Sequence, residues 1–416
     1  MTKQSMGKNY SKVINILIFI FPIVINSLQV VGDIVLFILA MMGICIAISK
    51  KLSPLNIKEI KVFSYLTIGY FIAICLSVIF SGQAKELAHY IPRDFYFIFA
   101  PFIALALYKA EINLNYLLVG AKVALLVLGV IVIYQLLGEE IHRPSGLMNS
   151  NIFGNLSVSL FLIVLVFSKH ETLNNKIFTF FSLLSGCLII LASGSRGAWL
   201  SFFLLLGVYL YFFYKQKTKS STKSKIIVAL IIVSILSIAN FSQSGRLIES
   251  VNERIYSAYI QTSNWVSGEK TPSPVGLRLN MYKKAIDNIE DVPFFGHGLR
   301  TSNIALFKND LSSMGRVSVR FNHLHNAYLT NYFNGGIILL GALLLLLFLP
   351  LRIFIKANSQ NRENPVFISG ALLTLGYASY GMVNILLGDT YMNGFYIFFL
   401  AIFMLLTNQS IKTPKT

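Results

Sequence analysis

The run FNHLHNAYLTNYFNGGIILLGALLLLLFLPL, residues 321–351, turns from polar to apolar without a break. Its front, Phe321-Asn322-His323-Leu324-His325-Asn326, carries two imidazoles and two amides. Its back is hydrocarbon for long enough to serve a bilayer core, which takes about 20 residues of helix. The chain therefore re-enters a membrane at His325. Upstream lies the polar stretch Phe241–His325, with ten of the chain's Lys and Arg residues and three of its six His.

Outward from this junction, apolar runs of about 17–25 residues recur along the whole chain. Hydrophobic residues make up 55% of the 416 and charged ones 12%, against about 25% charged in a soluble domain. Mean hydropathy is +0.67. These values predict an all-α polytopic membrane protein of about twelve transmembrane helices with one large, partly helical loop. A β-barrel would show short alternating segments instead. The expected spans centre near Phe21, Ala40, Tyr70, Pro101, Leu126, Leu160, Leu183, Leu205, Val233, Leu340, Leu375 and Phe399. Residues 1–240 then hold nine helices, 241–325 the loop with its amphipathic helices, and 326–416 the last three helices.

The net charge of +18 does not point to nucleic acid, because Lys and Arg gather in the connectors of one side. With the N-terminus in the cytoplasm, the inner connectors hold 20 basic residues against the acids Glu59, Glu111, Glu171 and Glu363. The short outer loops hold Lys85, Arg93, Arg143 and Arg196. Long translocated loops count little in this rule, so Phe241–His325 lies outside the cytoplasm and both termini lie inside. Met1–Lys12 is basic and no cleavage site follows, which makes the first apolar segment a membrane helix. Lys122 falls in the fifth span, close enough to its inner end to snorkel.

Unusual residues collect on the outer face. They lie in Glu139–Asn151, in the tight turn Ser193-Gly194-Ser195-Arg196-Gly197-Ala198-Trp199, in the large loop, and in Leu387-Gly388-Asp389-Thr390. Within the large loop, Leu247, Val251, Ile255 and Tyr259 repeat at helical spacing, which predicts an amphipathic helix on the membrane or on the bundle. A second helix is expected over Gly276–Ile289, closed by Asp291-Val292-Pro293. Phe294-Phe295-Gly296-His297-Gly298 follows, with glycines suited to positive φ or to close approach.

Arg196 is the first candidate for chemistry. An arginine at the inner face would read as an interface anchor, but this one lies at the outer face, between glycines that let a ligand approach. Anion binding is the better reading. Arg278, alone, would be a solvated helix residue; its place near a helix start, where N–H groups favour anions, gives it weight. His325 can accept a proton near neutral pH or serve as a hydrogen-bonded boundary residue, and spacing does not separate the two. His323 is an equal neighbour. Cys45, Cys75 and Cys187 sit in apolar spans, and no metal-site or nucleotide-loop spacing is present. A membrane enzyme with its site outside needs a pre-activated substrate.

These segments, in this order, resemble the O-antigen ligases, bacterial inner-membrane enzymes of the O-antigen ligase and polymerase superfamily. Ser193–Trp199 matches the family's Ser-Arg-Gly turn. Gly276-Leu277-Arg278-Leu279-Asn280-Met281-Tyr282 leading to Pro293–Gly298 looks like its loop arginine and following Pro-x-x-Gly-x-Gly. His325-Asn326 with Gly335-Gly336 is similar to its His-Asn and glycine pattern, although Leu339 departs from it. Arg143-Pro144-Ser145-Gly146 with Asn149 and Asn151 looks like a further family segment.

The resemblance implies a periplasmic, metal-independent, inverting glycosyltransferase without a cofactor, in the bacterial inner membrane. It would pass O-polysaccharide from undecaprenyl diphosphate to lipid A–core and so complete lipopolysaccharide. It implies His325, Arg196 and Arg278 as catalytic residues. Arg196, Arg278, Arg143, Asn326 and Asp389 are expected to touch substrate, with Asp389 or Asn326 orienting the imidazole. An O-antigen polymerase or protein O-glycosyltransferase of the same superfamily is the alternative. A lipid-linked glycan transporter fits less well, because no inverted repeat is evident and the candidates gather at one surface.

Overall fold

The computed structural model describes residues 3–141, 143–170, 172–215, 246–269 and 271–412. Among them, ten helices are long and apolar enough to cross a membrane. The first eight spans lie in α1 (Lys3–Ser27), α2 (Gln29–Ser49), α3 (Lys58–Phe80), α4 (Phe95–Tyr108), α5 (Leu114–Leu137), α6 (Ser150–Phe167), α7 (Leu173–Ala192) and α8 (Arg196–Lys215). Two helices of the large loop follow, α9 (Arg246–Val266) and α10 (Pro274–Asp287). After the short α11 (Ser302–Phe307) and α12 (Ser313–Ser318), the chain re-enters the bundle as α13 (Ala327–Gln360), α14 (Pro365–Tyr380) and α15 (Thr390–Lys412).

Eleven of the twelve expected span centres fall in or at these helices, and the one near Val233 lies outside the described residues. The helix around Leu375 is α14, shorter than a bilayer span. Its residues from Val366 to Thr374 are buried by protein, so it need not match the lipid thickness on its own. Its early end leaves the segment 381–389 free to run irregularly across the top of the bundle.

The core forms around α6 and α15. Every residue of α6 from Ile152 to Phe167 is buried, and so is every residue of α15 from Met392 to Leu405. Helices hydrophobic all round belong in such positions. The outer helices pair around them: α1 with α5, α2 with α4, and α13 with α3 and α14. Lys122 of α5 is 3% exposed. Its ammonium lies over the Phe178 ring at 5.5 Å, so it rests on protein inside the bundle rather than reaching the surface as expected.

α13 is kinked where Gly335 and Gly336 leave helical geometry. The loop Pro293–Gly298 docks at this kink. His297 N–H donates to the Phe333 carbonyl at 2.8 Å and Gly298 N–H to the Asn334 carbonyl at 2.9 Å. Gly336 has φ +61°, and a Cβ there would overlap the Phe294 carbonyl oxygen. A Cβ on Gly296, at φ +73°, would overlap the Asn334 and Gly335 backbone. The glycines of the two sequence motifs thus serve one backbone-to-backbone contact, which fixes the helix that begins just after His325.

Candidate active site

Three separate chain segments bring arginines to one cavity. Arg196 opens α8 directly after the turn Ser193–Ser195. That turn is tied by Ser193 Oγ, which donates to the Ile190 carbonyl at 2.8 Å and accepts from Ser195 N–H at 3.3 Å. Trp199 Nε1 donates to the same carbonyl at 2.8 Å.

Arg143 comes from the connector before α6. Buried Gln135 pins this connector: its Oε1 accepts from Ser145 and Gly146 N–H, and its Nε2 donates to the Gly146 carbonyl at 2.9 Å. Arg143 itself donates from Nε to the Ser193 carbonyl at 2.9 Å and from Nη2 to Asn151 Oδ1 at 2.7 Å.

Arg278 lies on α10, which starts at Pro274 rather than Gly276, capped by Ser273 Oγ accepting from Gly276 N–H at 3.1 Å. Pro274 also lines the cavity, so the positive end of the α10 dipole stands at its wall.

A fourth arginine joins them. Arg254 of α9 lines the same cavity, and its carbonyl accepts from Arg196 Nη1 at 3.3 Å. Gly194, at φ +58°, makes room for it: a Cβ there would stand 2.8 Å from Arg254 Nε. Of the apolar positions expected on this helix, Ile255 and Tyr259 are exposed, as is Tyr256 between them, and the side chains of Leu247 and Val251 lie outside the described residues. Nothing in local sequence marks Arg254 out from the other basic residues of the loop, since the contact that selects it is with a turn 60 residues earlier.

The cavity, with the open space at its mouth, spans about 560 Å³, and among its described lining residues there is no carboxylate. Burial, followed by the charges of Arg254, Arg278 and Arg196, pushes the Arg143 guanidinium down to about 10. It remains a cation at neutral pH. Four cations held together without a counter-charge repel one another, and an anion between them relieves the repulsion. Asn155 also lines the cavity, 2% exposed, with its Oδ1 unpaired among the described residues.

His325 is not among the residues that line this cavity, but it lies near enough to Arg278 to feel its charge. Its φ is +52°, a left-handed conformation that costs a non-glycine residue about 1–3 kcal/mol and persists only where its surroundings enforce it. Tyr282 supplies one restraint, its hydroxyl donating to the His325 carbonyl at 2.8 Å. The next residues add others: Asn326 Oδ1 caps α13 by accepting from Leu329 N–H at 3.0 Å, and Ala327 N–H donates to the Gly381 carbonyl at 2.7 Å. The imidazole packs edge-on against His323 and Phe321, with ring centroids 4.3 and 5.1 Å away. Its Nδ1 is buried and makes no hydrogen bond among the described residues. Burial, then the neighbouring His323, then the Arg278 charge hold its pKa down at about 3. His323 is also shifted down, chiefly by burial, and its Nδ1 accepts from His325 N–H at 3.3 Å.

The expected residues therefore divide. Arg143, Arg196 and Arg278 share one cavity, and His325 lies within the field of Arg278. Asn326 is occupied as a helix cap and by its Nδ2 bond to the Met382 carbonyl at 3.2 Å. Asp389 accepts from Met392 N–H at 3.3 Å and feels the charge of Arg93 rather than the arginine cluster. Neither is hydrogen-bonded to the His325 ring, which is held by packing.

Residues 180–346 match the family model described as O-Antigen ligase. That range includes Arg196, Arg254, Arg278 and His325, and it leaves out Arg143. An uncharacterized protein of Haemophilus influenzae is 24% identical over 365 residues, covering 86% of this chain and 88% of the relative.

Proposed function

We infer that this chain, which carries an O-antigen ligase family domain over residues 180–346, transfers O-polysaccharide from undecaprenyl diphosphate to a hydroxyl of lipid A–core at the periplasmic face of the inner membrane. The observation that carries the reading is a cavity whose described lining holds four arginines and no carboxylate. Its charge and volume suit a diphosphate.

In the proposed reaction, the acceptor oxygen attacks the anomeric carbon of the donor and His325 takes the hydroxyl proton. The new C–O bond forms as the bond to the diphosphate breaks. Undecaprenyl diphosphate leaves with the electron pair, and attack from the side opposite the leaving group inverts the anomeric centre. Arg143, Arg196, Arg254 and Arg278 hold the developing negative charge, the task a divalent cation performs in many other transferases. Guanidinium forks suit phosphate oxygens, and each charged hydrogen bond is worth about 1.5–3 kcal/mol. The exposed apolar face of α9 would rest on the membrane surface, where both lipid-anchored substrates arrive.

The test is reconstitution of the purified protein with undecaprenyl-diphosphate-linked glycan and lipid A–core in the presence of a chelator. Transfer by the wild type, lost in His325→Ala with donor binding retained, is the expected result. Undiminished transfer by Arg196→Ala and His325→Ala would overturn the assigned roles. Extension of the donor glycan without transfer to lipid A–core would make the chain a polymerase of the same superfamily.

A further inference from the structure

A second polar cavity lies at the same end of the bundle and shares no lining residue with the arginine cavity. With the open space at its mouth it spans about 600 Å³, and Arg93, Asp94, Arg300, Asn322, Asn331 and Asn334 supply its polar wall. The two cavities flank one stretch of chain. Val383 and Asn384 line the first, and Ile385, Leu387 and Gly388 line the second. The histidine turn stands between them as well, because Asn322 opens into the second cavity while His323 and His325 feel the charge of Arg278 in the first.

The chemistry of the second cavity differs from that of the first. Asp94 is 7% exposed and faces the charges of Arg300 and Arg93. No ion-pair contact joins this carboxylate to either guanidinium among the described residues, and the Asn393 side chain hydrogen-bonds to it. Arg300 lies over the Tyr90 ring at 5.3 Å. Asn331 and Asn334, both buried, are fixed by bonds to the Ala327 carbonyl at 2.7 Å and from Ser302 N–H at 3.1 Å. A carboxylate, amides and guanidiniums together offer both acceptors and donors, and paired donors and acceptors are what sugar hydroxyls require.

We propose that this cavity is the acceptor subsite, binding a saccharide through its hydroxyls with Asp94 as the central hydrogen-bond acceptor. The assignment rests on the transferase reading above for its role, though not for its ligand chemistry. Donor and acceptor then reach the His323–His325 turn from opposite sides. Asp94 acts here as a binding and positioning residue.

The experiment compares wild type with Asp94→Asn and Arg300→Gln in nanodiscs, the second variant guarding against a folding defect in the first. Two readouts are taken: equilibrium binding of lipid-free core oligosaccharide, and steady-state transfer with donor and acceptor varied separately. The expected result is at least tenfold weaker oligosaccharide binding and a correspondingly higher acceptor KM in both variants, with donor KM within twofold of wild type. Unchanged oligosaccharide binding in both folded variants overturns the proposal, as does a rise confined to donor KM. Oligosaccharide binding by wild type that Asp94→Asn abolishes, in a protein that transfers nothing, upholds the subsite and overturns the transferase reading instead. Binding of inorganic diphosphate that Arg300→Gln abolishes and Arg278→Ala spares would make this an anion site and sink the assignment.

Discussion

The hydroxyl of Tyr282 donates to the main-chain carbonyl of His325 at 2.8 Å, across 43 residues of sequence. Tyr282 follows Arg278 by four positions on α10, so the two project from one helix face. The helix that brings a cation to the arginine cavity therefore also holds the backbone of the residue proposed as the base. This bond acts on a carbonyl in a left-handed residue, where the conformation has to be maintained by its neighbours.

Tyr282→Phe removes that bond and keeps the ring. A hydrogen bond of about 0.5–1.5 kcal/mol net corresponds to about a 2–12-fold fall in kcat. Diphosphate affinity should stay within about twofold, since no arginine is touched. Initial rates and binding of inorganic diphosphate separate the two effects. Weakened binding with kcat intact would show that Tyr282 serves the anion site and leaves His325 unaffected.

Arg254 gives the second prediction. Its side chain lines the cavity while its carbonyl accepts from Arg196, and alanine removes only the former. Loss of one charge-assisted contact worth about 1.5–3 kcal/mol should weaken donor binding about ten- to a hundredfold. Arg254→Lys should recover part of this, because the charge returns without the planar fork. Inorganic diphosphate should raise the Tm of wild type and raise it less in Arg254→Ala, since a ligand that binds only the folded state stabilises it. Equal Tm shifts in the two proteins would make Arg254 a bystander.

Arg254 also marks where sequence reading stops. The membrane helices are legible because a bilayer demands long apolar runs, and the ten described spans carry them. Arg196 and Arg278 are legible because each stands in a local pattern. Arg254 is not, because its selection depends on the bare Cα of Gly194 in a distant turn. The same limit applies to Asn326 and Asp389. A polar residue beside a site looks like a ligand in sequence, whereas here each has a backbone N–H of a helix start to satisfy. The glycines of Pro293–Gly298 were legible as residues needing positive φ or close approach, but the partner they approach, the α13 kink, is a tertiary fact.

That kink supplies the third prediction. Gly336→Ala puts a Cβ onto the Phe294 carbonyl at φ +61°, so strain of about 1–3 kcal/mol adds to a steric overlap. Gly341 lies five residues on in the same helix with nothing within 4 Å of its added Cβ. Gly341→Ala should be neutral or stabilise by up to about 1 kcal/mol through helix propensity. Thermal unfolding should show a lower Tm for Gly336→Ala and an equal or higher one for Gly341→Ala. Equal Tm values would mean that the loop and the kink do not depend on each other's glycines.

The last prediction concerns pH, and its sign follows from the groups around His325. Burial, His323 and Arg278 hold the imidazole down at about 3, well below its ordinary value of about 6.5. The unfolded chain therefore takes up the proton first. Stability linked to His325 is complete above about pH 6.5 and is lost progressively as pH falls toward 3. In the free enzyme the base stays neutral through the working range, so kcat/KM for the donor should show no acid limb from His325 above about pH 5. A bound diphosphate places negative charge beside Arg278, offsets its repulsion of the imidazolium and raises the His325 pKa. The acid limb of kcat, which reports the complex, should accordingly lie at higher pH than that of kcat/KM. Parallel pH–rate profiles of wild type and Tyr282→Phe check this, since the second keeps every charge and should show the same separation. Coincident limbs in both would mean that the diphosphate charge does not reach His325, and that the arginine cavity and the base are not electrostatically coupled.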